Sequence, residues 1–206
     1  MLLPSQVLLA TGNAHKAAEM RAVLAPLLPF VKFLSLRDVG VDAIPDDVES
    51  HDTFQANAAA KALWCSRMTS FWCVADDSGL CVDALGGAPG VRSARWAGPT
   101  DADRNQALLD ALEAAGATRP TQRGAHFICR TACAHGGRLI GEAEGRIDGL
   151  ILSGAVGGHG FGYDPLFYVP EIRMTLAEAG EAVKNNLGHR GQAARALAQF
   201  IPHATA

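Results

Sequence analysis

Four stretches of the chain place residue types at spacings that could do chemistry. In the first, Thr11-Gly12-Asn13-Ala14-His15-Lys16, a short apolar run gives way to a helical pattern. A helix N-terminus offers unpaired backbone N–H groups and about half a positive charge, so the amides of Ala14, His15 and Lys16 could face an anion. Lys16 in the first turn opposes the helix dipole by roughly 0.3 to 1 kcal/mol, a cost that a bound phosphate would reverse. The alternative is an exposed lysine reaching into solvent. The G-x-x-x-x-G-K spacing of a Walker loop is missing.

The second stretch is Asp76-Asp77-Ser78-Gly79-Leu80, expected at the carboxyl end of a buried strand, where open α/β sheets place ligands. Neighbouring carboxylates point to opposite sides of a strand, so one of the pair serves a site and the other bonds nearby backbone. A hard cation such as Mg²⁺ takes one or two carboxylates plus substrate phosphate oxygens, and Glu49 is the other candidate ligand. An Asx turn ending the strand is the structural alternative. The same residues suit an aspartic protease, which needs two aspartates sharing a proton. No second D-S-G or D-T-G exists in the chain, so only a homodimer could supply it.

The third stretch, Gly154 to Gly162, holds five glycines in nine residues and leads into Phe161-Gly162-Tyr163-Asp164-Pro165. Such density lets backbone approach a ligand closely, and Phe161 could offer a ring for base stacking; a bare flexible loop is the alternative. The fourth is Lys184 with His189-Arg190-Gly191. Two cations and an imidazole around a helix break could bind phosphate and keto oxygens, or form a solvated helix end.

Composition limits what these stretches can belong to. The 206 residues suffice for one substantial core, so a single domain covering 1–206 is expected. A net charge of −3, 49% hydrophobic and 19% charged residues exclude disordered, collagen-like and strongly basic nucleic-acid-coating proteins. That modest charge is unevenly distributed. From Asp38 to Asp83 nine acids face two bases, a net −7, so the remainder carries +4. This suits a divalent-cation site beside an anion site, or a solvated acidic face. The five cysteines show no C-x-x-C spacing, and Cys129, Cys133 and His135 read as strand residues rather than zinc ligands. The first residues lack a basic segment and no run of 18 or so apolar residues occurs, so a soluble, cytoplasmic protein without membrane or nucleic-acid polymer partners is expected.

The elements follow from periodicity. Gln6–Thr11 reads as a strand buried on both faces; Asn13 then caps a helix with Met20, Val23, Leu24 and Leu27 on one stripe, ending by Pro29. A strand is expected over 31–36 and a loop across Pro45. Asp52 and Gln55 resemble a capping box for a helix to Met68, and Phe71–Ala75 is a strand that stops on Asp76. A broken loop, 86–98, precedes a helix from Asp101 to Ala115 with Leu108, Leu109 and Leu112 inward and Gly116 at its end. Strand-like segments 127–134 and 138–146 flank Gly136-Gly137 as a hairpin. After a short apolar segment, 166–169, Thr175 and Glu178 box a helix that Gly188 separates from a last one ending near Phe200. The whole reads as α/β, a mixed central sheet with helices on its faces.

In order and spacing these segments resemble the inosine triphosphate pyrophosphatase family, also called HAM1-like or dITP/XTP pyrophosphatases. The resemblance runs from Thr11 to Gly191 through Thr11-Gly12-Asn13-x-x-Lys16, Glu49 ahead of Thr53-Phe54-x-x-Asn57-Ala58, Asp76-Asp77-Ser78-Gly79-Leu80, Leu85-Gly86-Gly87-x-Pro89-Gly90-x-x-Ser93-Ala94-Arg95, Phe161-Gly162-Tyr163-Asp164-Pro165 and His189-Arg190-Gly191. It implies an elongated fold with an active-site cleft, and a homodimer. It also implies Mg²⁺-dependent hydrolysis of deaminated purine nucleoside triphosphates (ITP, dITP, XTP) to monophosphate and pyrophosphate. Thr11, Gly12, Asn13, Ala14, His15 and Lys16 would cradle phosphates, and Glu49 and Asp77 would hold the metal. Asp77 would also accept the proton of the attacking water, and Ser78 would touch substrate. Phe161 would stack on the base while Gly162, Tyr163 and Asp164 shape its pocket. Lys184 would meet phosphate, and His189 with Arg190 the 6-keto edge. The remaining alternatives are a pyrophosphatase for other modified bases and a non-catalytic nucleotide-binding module. One departure stands out. Where the family has E-T-G-x-T-F, this chain has Glu49-Ser50-His51-Asp52-Thr53-Phe54. If that glycine serves a positive φ, His51 is strained or the loop takes another path, with Asp46 and Asp47 as substitute ligands.

Overall fold

The computed structural model describes residues 4–202. In chain order its main elements are β1 (Gln6–Leu9), α1 (Ala14–Leu27), β2 (Lys32–Leu34), α2 (Phe54–Met68), β3 (Trp72–Val82), α3 (Asp101–Ala114), β4 (Gly124–His135), β5 (Arg138–Ile151), β6 (Phe167–Val169), β7 (Met174–Thr175), α4 (Leu176–Leu187) and α5 (His189–Ala198). Short 3-10 turns fill several connections. The seven strands form one sheet in the order β2-β1-β3-β4-β5-β6-β7. β1 pairs in parallel with β2 and β3, and β6 pairs antiparallel with β5 and β7, so the sheet is mixed. Among the described residues no helix is long and apolar enough to cross a membrane.

The chain divides into two compact units, and β3, β4 and β5 contribute residues to both. Among the described residues the first comprises 4–77, 129–145 and 189–202. Its strand β1 is buried on both faces, which is why it reads as an unbroken apolar run. Val7 and Leu9 of β1, with Trp72 and Val74 of β3, pack on Met20, Leu24 and Leu197 of α1 and α5. The alternate residues Leu8, Ala10, Cys73 and Ala75 pack on Ala58, Ala62 and Cys65 of α2. The second unit, Ser78–Ile128 and Arg146–Gly188, closes around Leu80, Leu108, Leu112, Phe127, Ile151 and Phe167.

Local signals set most element ends. The Asn13 side chain accepts from the amides of His15 and Lys16, and Thr175 and Glu178 form the reciprocal capping box of α4. Gly136 and Gly137 have φ of 58° and 74°, the left-handed pair that a two-residue hairpin turn needs between β4 and β5.

Several expectations are corrected. Helix α2 is capped by Thr53, whose Oγ1 accepts from the Ala56 amide, not by Asp52; Gln55 is turned instead toward Glu142. Leu27 is exposed and Leu28 takes the inner position, because the chain leaves helical geometry at Leu28 (φ −128°, ψ 64°). Strand β3 does not stop at Asp76. It continues to Val82, because both carboxylates find partners inside the fold and need not be presented on a turn.

Candidate active site

Within the first unit, strand alternation sends Asp76 and Asp77 to opposite faces of β3. Asp77, on the α2 side, is 5% exposed, and its Oδ2 accepts from Asn57 Nδ2 at 3.0 Å. Its Oδ1 lies 4.0 Å from Lys61 Nζ, and the same ammonium sits 2.6 Å from Glu49 Oε1. Asn57 and Lys61 are one helical turn apart on α2, so one helix face presents an amide and a cation to the two proposed metal ligands. Burial pushes the Asp77 carboxyl above the ordinary aspartate value, against the opposing pull of Lys61, Lys16 and the Asn57 hydrogen bond. Burial alone would lower the Lys61 pKa, but the charges of Asp76, Asp77 and Glu49 outweigh it and hold the ammonium above its usual range.

Asp76, on the α1 and α5 side, is 1% exposed. Its Oδ2 lies 3.1 Å from Arg190 Nε, 3.5 Å from Lys16 Nζ and 3.9 Å from Cys129 Sγ. Arg190, itself buried, also pairs with Glu19. Burial would raise the Asp76 pKa, but Lys16 and Arg190 hold it well below the carboxylate range.

The Thr11–Lys16 segment is bonded within itself. Asn13 N–H donates to Thr11 Oγ1, and Asn13 Oδ1 receives the His15 and Lys16 amides at 3.0 and 3.1 Å. The helix-start amides are thus shared with a cap, and Lys16 is the cation of this segment that reaches Asp76. Gly12, Ala14 and His15 are exposed, Ser78 is half-buried beside Asp77, and buried His189 begins α5.

The acidic loop needs no strained residue. Among the described residues the one non-glycine with positive φ is Arg173, and His51 N–H and C=O are both hydrogen-bonded to the Asn57 amide. Asp46 and Asp47 are exposed, whereas Glu49 is the acid that meets Lys61. Among the described residues no group of three or more His, Cys, Asp or Glu side chains is arranged to hold a metal. Glu49 and Asp77, gathered on one ammonium, nevertheless fit a hard cation that completes its shell with substrate oxygens. In the chain itself Asp77 meets an amide and an ammonium, not the second aspartate that protease chemistry needs.

The second unit gathers the other candidates. Asp164 Oδ2 accepts from Phe161 N–H at 2.9 Å and from Lys184 Nζ at 2.6 Å, and Lys184 Nζ stands 4.3 Å from the Phe161 ring centroid. Tyr163 donates to Ser93 O at 2.9 Å, and burial pushes its phenol up to about 12. The glycine-rich segment is tied down: Val156 N–H bonds Pro165 O, His159 N–H bonds Ala177 O, and Thr175 Oγ1 bonds Val156 O.

Two residues of the first unit's cluster were not among the sequence candidates. Asn57 stands in the Thr53-Phe54-x-x-Asn57-Ala58 motif without an assigned role, and Lys61 lies outside every motif. The available signal was their four-residue spacing, with Lys61 a lone cation between the apolar Ala58 and Ala62.

Comparison with known proteins gives the chain its relatives. The model of the Ham1 family matches residues 7–200. A dITP/XTP pyrophosphatase of Gloeobacter violaceus is 45% identical over 93% of this chain and 91% of its own length. One from Aromatoleum aromaticum is also 45% identical, over 95% and 96%. A solved HAM1 protein structure from Coxiella burnetii superposes with a TM-score of 0.83 at 39% identity, covering 96% of this chain and 98% of that one.

Proposed function

The chain belongs to the Ham1 family, and on that premise we propose that it hydrolyses ITP, dITP and XTP to the monophosphate and pyrophosphate, clearing deaminated purines from the nucleotide pool. It is a nucleoside-triphosphate pyrophosphatase, and we read the whole chain as one such domain. The observation that carries the reading is the buried Asp77, held by Asn57 and Lys61 next to Glu49.

In this reading Asp77 accepts a proton from the water whose oxygen attacks the α-phosphorus; the α–β bridging bond then breaks and pyrophosphate leaves. The Asn57 hydrogen bond fixes the orientation of the carboxylate that takes this proton. Lys61 orients the two carboxylates, and Lys16, itself fixed by Asp76, brings positive charge to the phosphates. A divalent ion, which we take to be Mg²⁺, would be held by Glu49 and Asp77 and would neutralise charge on non-bridging oxygens. Thr11 to Lys16, Ser78 and Lys184 are assigned to substrate, the latter through phosphate. Phe161 stacks on the base, with Gly162, Tyr163 and Asp164 shaping its pocket. His189 and Arg190 are assigned to the 6-keto edge; the Arg190 pairing with Asp76 and Glu19 fixes the guanidinium that this role uses. Donors aimed at O6 reject a 6-amino base, because buried polar groups are then left unpaired. We further propose that it works in the cytoplasm as a homodimer.

Incubation with Mg²⁺ and ITP, XTP, dITP, ATP or GTP, measuring pyrophosphate and orthophosphate separately, tests this. Pyrophosphate from the first three is expected. Orthophosphate as the direct product, or no turnover of ITP and XTP, would overturn it.

A further inference from the structure

We infer that Asp101 and Asn105 of α3 are positioning residues that fix the Phe161–Gly162 backbone and so set the attitude of the base-stacking ring, an inference that rests on the stacking role proposed for Phe161. Both belong to the second unit, as does the segment they hold. Gly162 N–H donates to Asp101 Oδ2 at 2.7 Å, and Gly162 C=O accepts from Asn105 Nδ2 at 3.1 Å. The two side chains are four residues apart on α3, so one helix face grips both polar groups of a single residue. Gly162 has a φ of 65°, a left-handed geometry that glycine adopts without steric cost.

The consequence falls on Phe161. Its own N–H is held by Asp164, and the peptide that follows it is held by Asp101. With the amide planes on both sides of its Cα anchored, φ and ψ of Phe161 are fixed, and the ring is left only its side-chain rotamers. Asp101 is itself immobilised. It occupies the first turn of α3, where a carboxylate favours the helix dipole, and its Oδ1 pairs with Arg104, which also donates to Gly98 O and Pro99 O. Asn105 meets the Gly162 carbonyl through Nδ2, while its Oδ1 is buried.

The test compares a ligand that carries a base with one that does not. For the full-length protein with Mg²⁺, Asp101→Ala is expected to raise KM for ITP about tenfold, the scale of a weakened aromatic–base stack, with kcat little changed. The inhibition constant of inorganic pyrophosphate, which has no base, is expected to stay at the wild-type value. Asp101→Asn, which keeps an acceptor oxygen, recovers most of the loss. A wild-type KM in Asp101→Ala overturns the inference, as does an equal-fold rise in the pyrophosphate constant, which marks general damage to the fold. Wild-type protein that fails to turn over ITP removes the proposed function itself, a result distinct from either.

Discussion

Asp76 and Asp77, adjacent in β3, are charge centres for opposite faces of the sheet: Asp76 lies 3.1 Å from Arg190 Nε of α5, whereas Asp77 accepts 3.0 Å from Asn57 of α2. The same alternation gives them different electrostatics. Asp76 is held anionic by Lys16 and Arg190, while burial dominates at Asp77 and raises its proton affinity. The contrast follows from the face of β3 that each side chain takes, one meeting two cations and the other an amide and a more distant ammonium.

If Asp77 is the base, Asp77→Asn should lower kcat by roughly 10² to 10⁴-fold, the usual contribution of a positioned proton acceptor. The neutral amide can still meet Asn57, so the fold should survive. Pyrophosphate release and circular dichroism check the two halves separately; activity near wild type would show that the base is elsewhere.

Glu49→Gln should weaken metal use. Changing a group that merely supports a metal ligand costs about 10- to 100-fold in affinity, so loss of a ligand should raise the half-saturating Mg²⁺ concentration by at least that much. Asp47→Asn, at an exposed turn position, should not. Titrating activity against Mg²⁺ at saturating ITP measures both, and the reverse ranking would move the ligand to the turn.

Arg190→Ala removes one partner of the buried Asp76–Arg190 ion pair, which should cost about 3 to 5 kcal/mol in urea unfolding. Glu19→Gln should cost far less, because the Glu19 side chain is 16% exposed and keeps an oxygen for Arg190. The depressed pKa of Asp76 implies stability present above about pH 4 and lost as pH falls toward its folded value. Arg190→Ala should therefore flatten that acid dependence.

Tyr163 makes a prediction at the other end of the pH scale. Its phenol is raised to about 12 in the folded chain and titrates near 10 when unfolded, so its contribution is complete below about pH 10 and is lost as pH rises toward 12. Tyr163→Phe leaves the Ser93 carbonyl without this donor and should cost roughly 1 to 2 kcal/mol at neutral pH. The difference between the two proteins should shrink over that alkaline window, as followed by denaturant melts; a constant difference would contradict the assignment.

Much of this protein was legible in the sequence because it depends on local rules. The Asn13 cap, the Thr175–Glu178 box and the Gly136-Gly137 turn are each decided within a few residues by side chains competing for backbone amides or by the φ a turn demands. The ordered motifs were enough to suggest the family and its chemistry. Strand alternation even foretold that Asp76 and Asp77 would part. What that reading could not supply was the partners. It ended β3 at the acids, because two carboxylates followed by Ser-Gly look like a turn unless cations from distant segments neutralise them. Lys61 lies 16 residues before Asp77 and Arg190 lies 114 residues after Asp76, and no local rule connects them. The sequence by itself determined which residues could do chemistry and where most helices begin. Only the tertiary structure decided which carboxyl is held below the ordinary aspartate value and which is pushed above it, because that depends on burial and on charges brought within a few ångströms by folding.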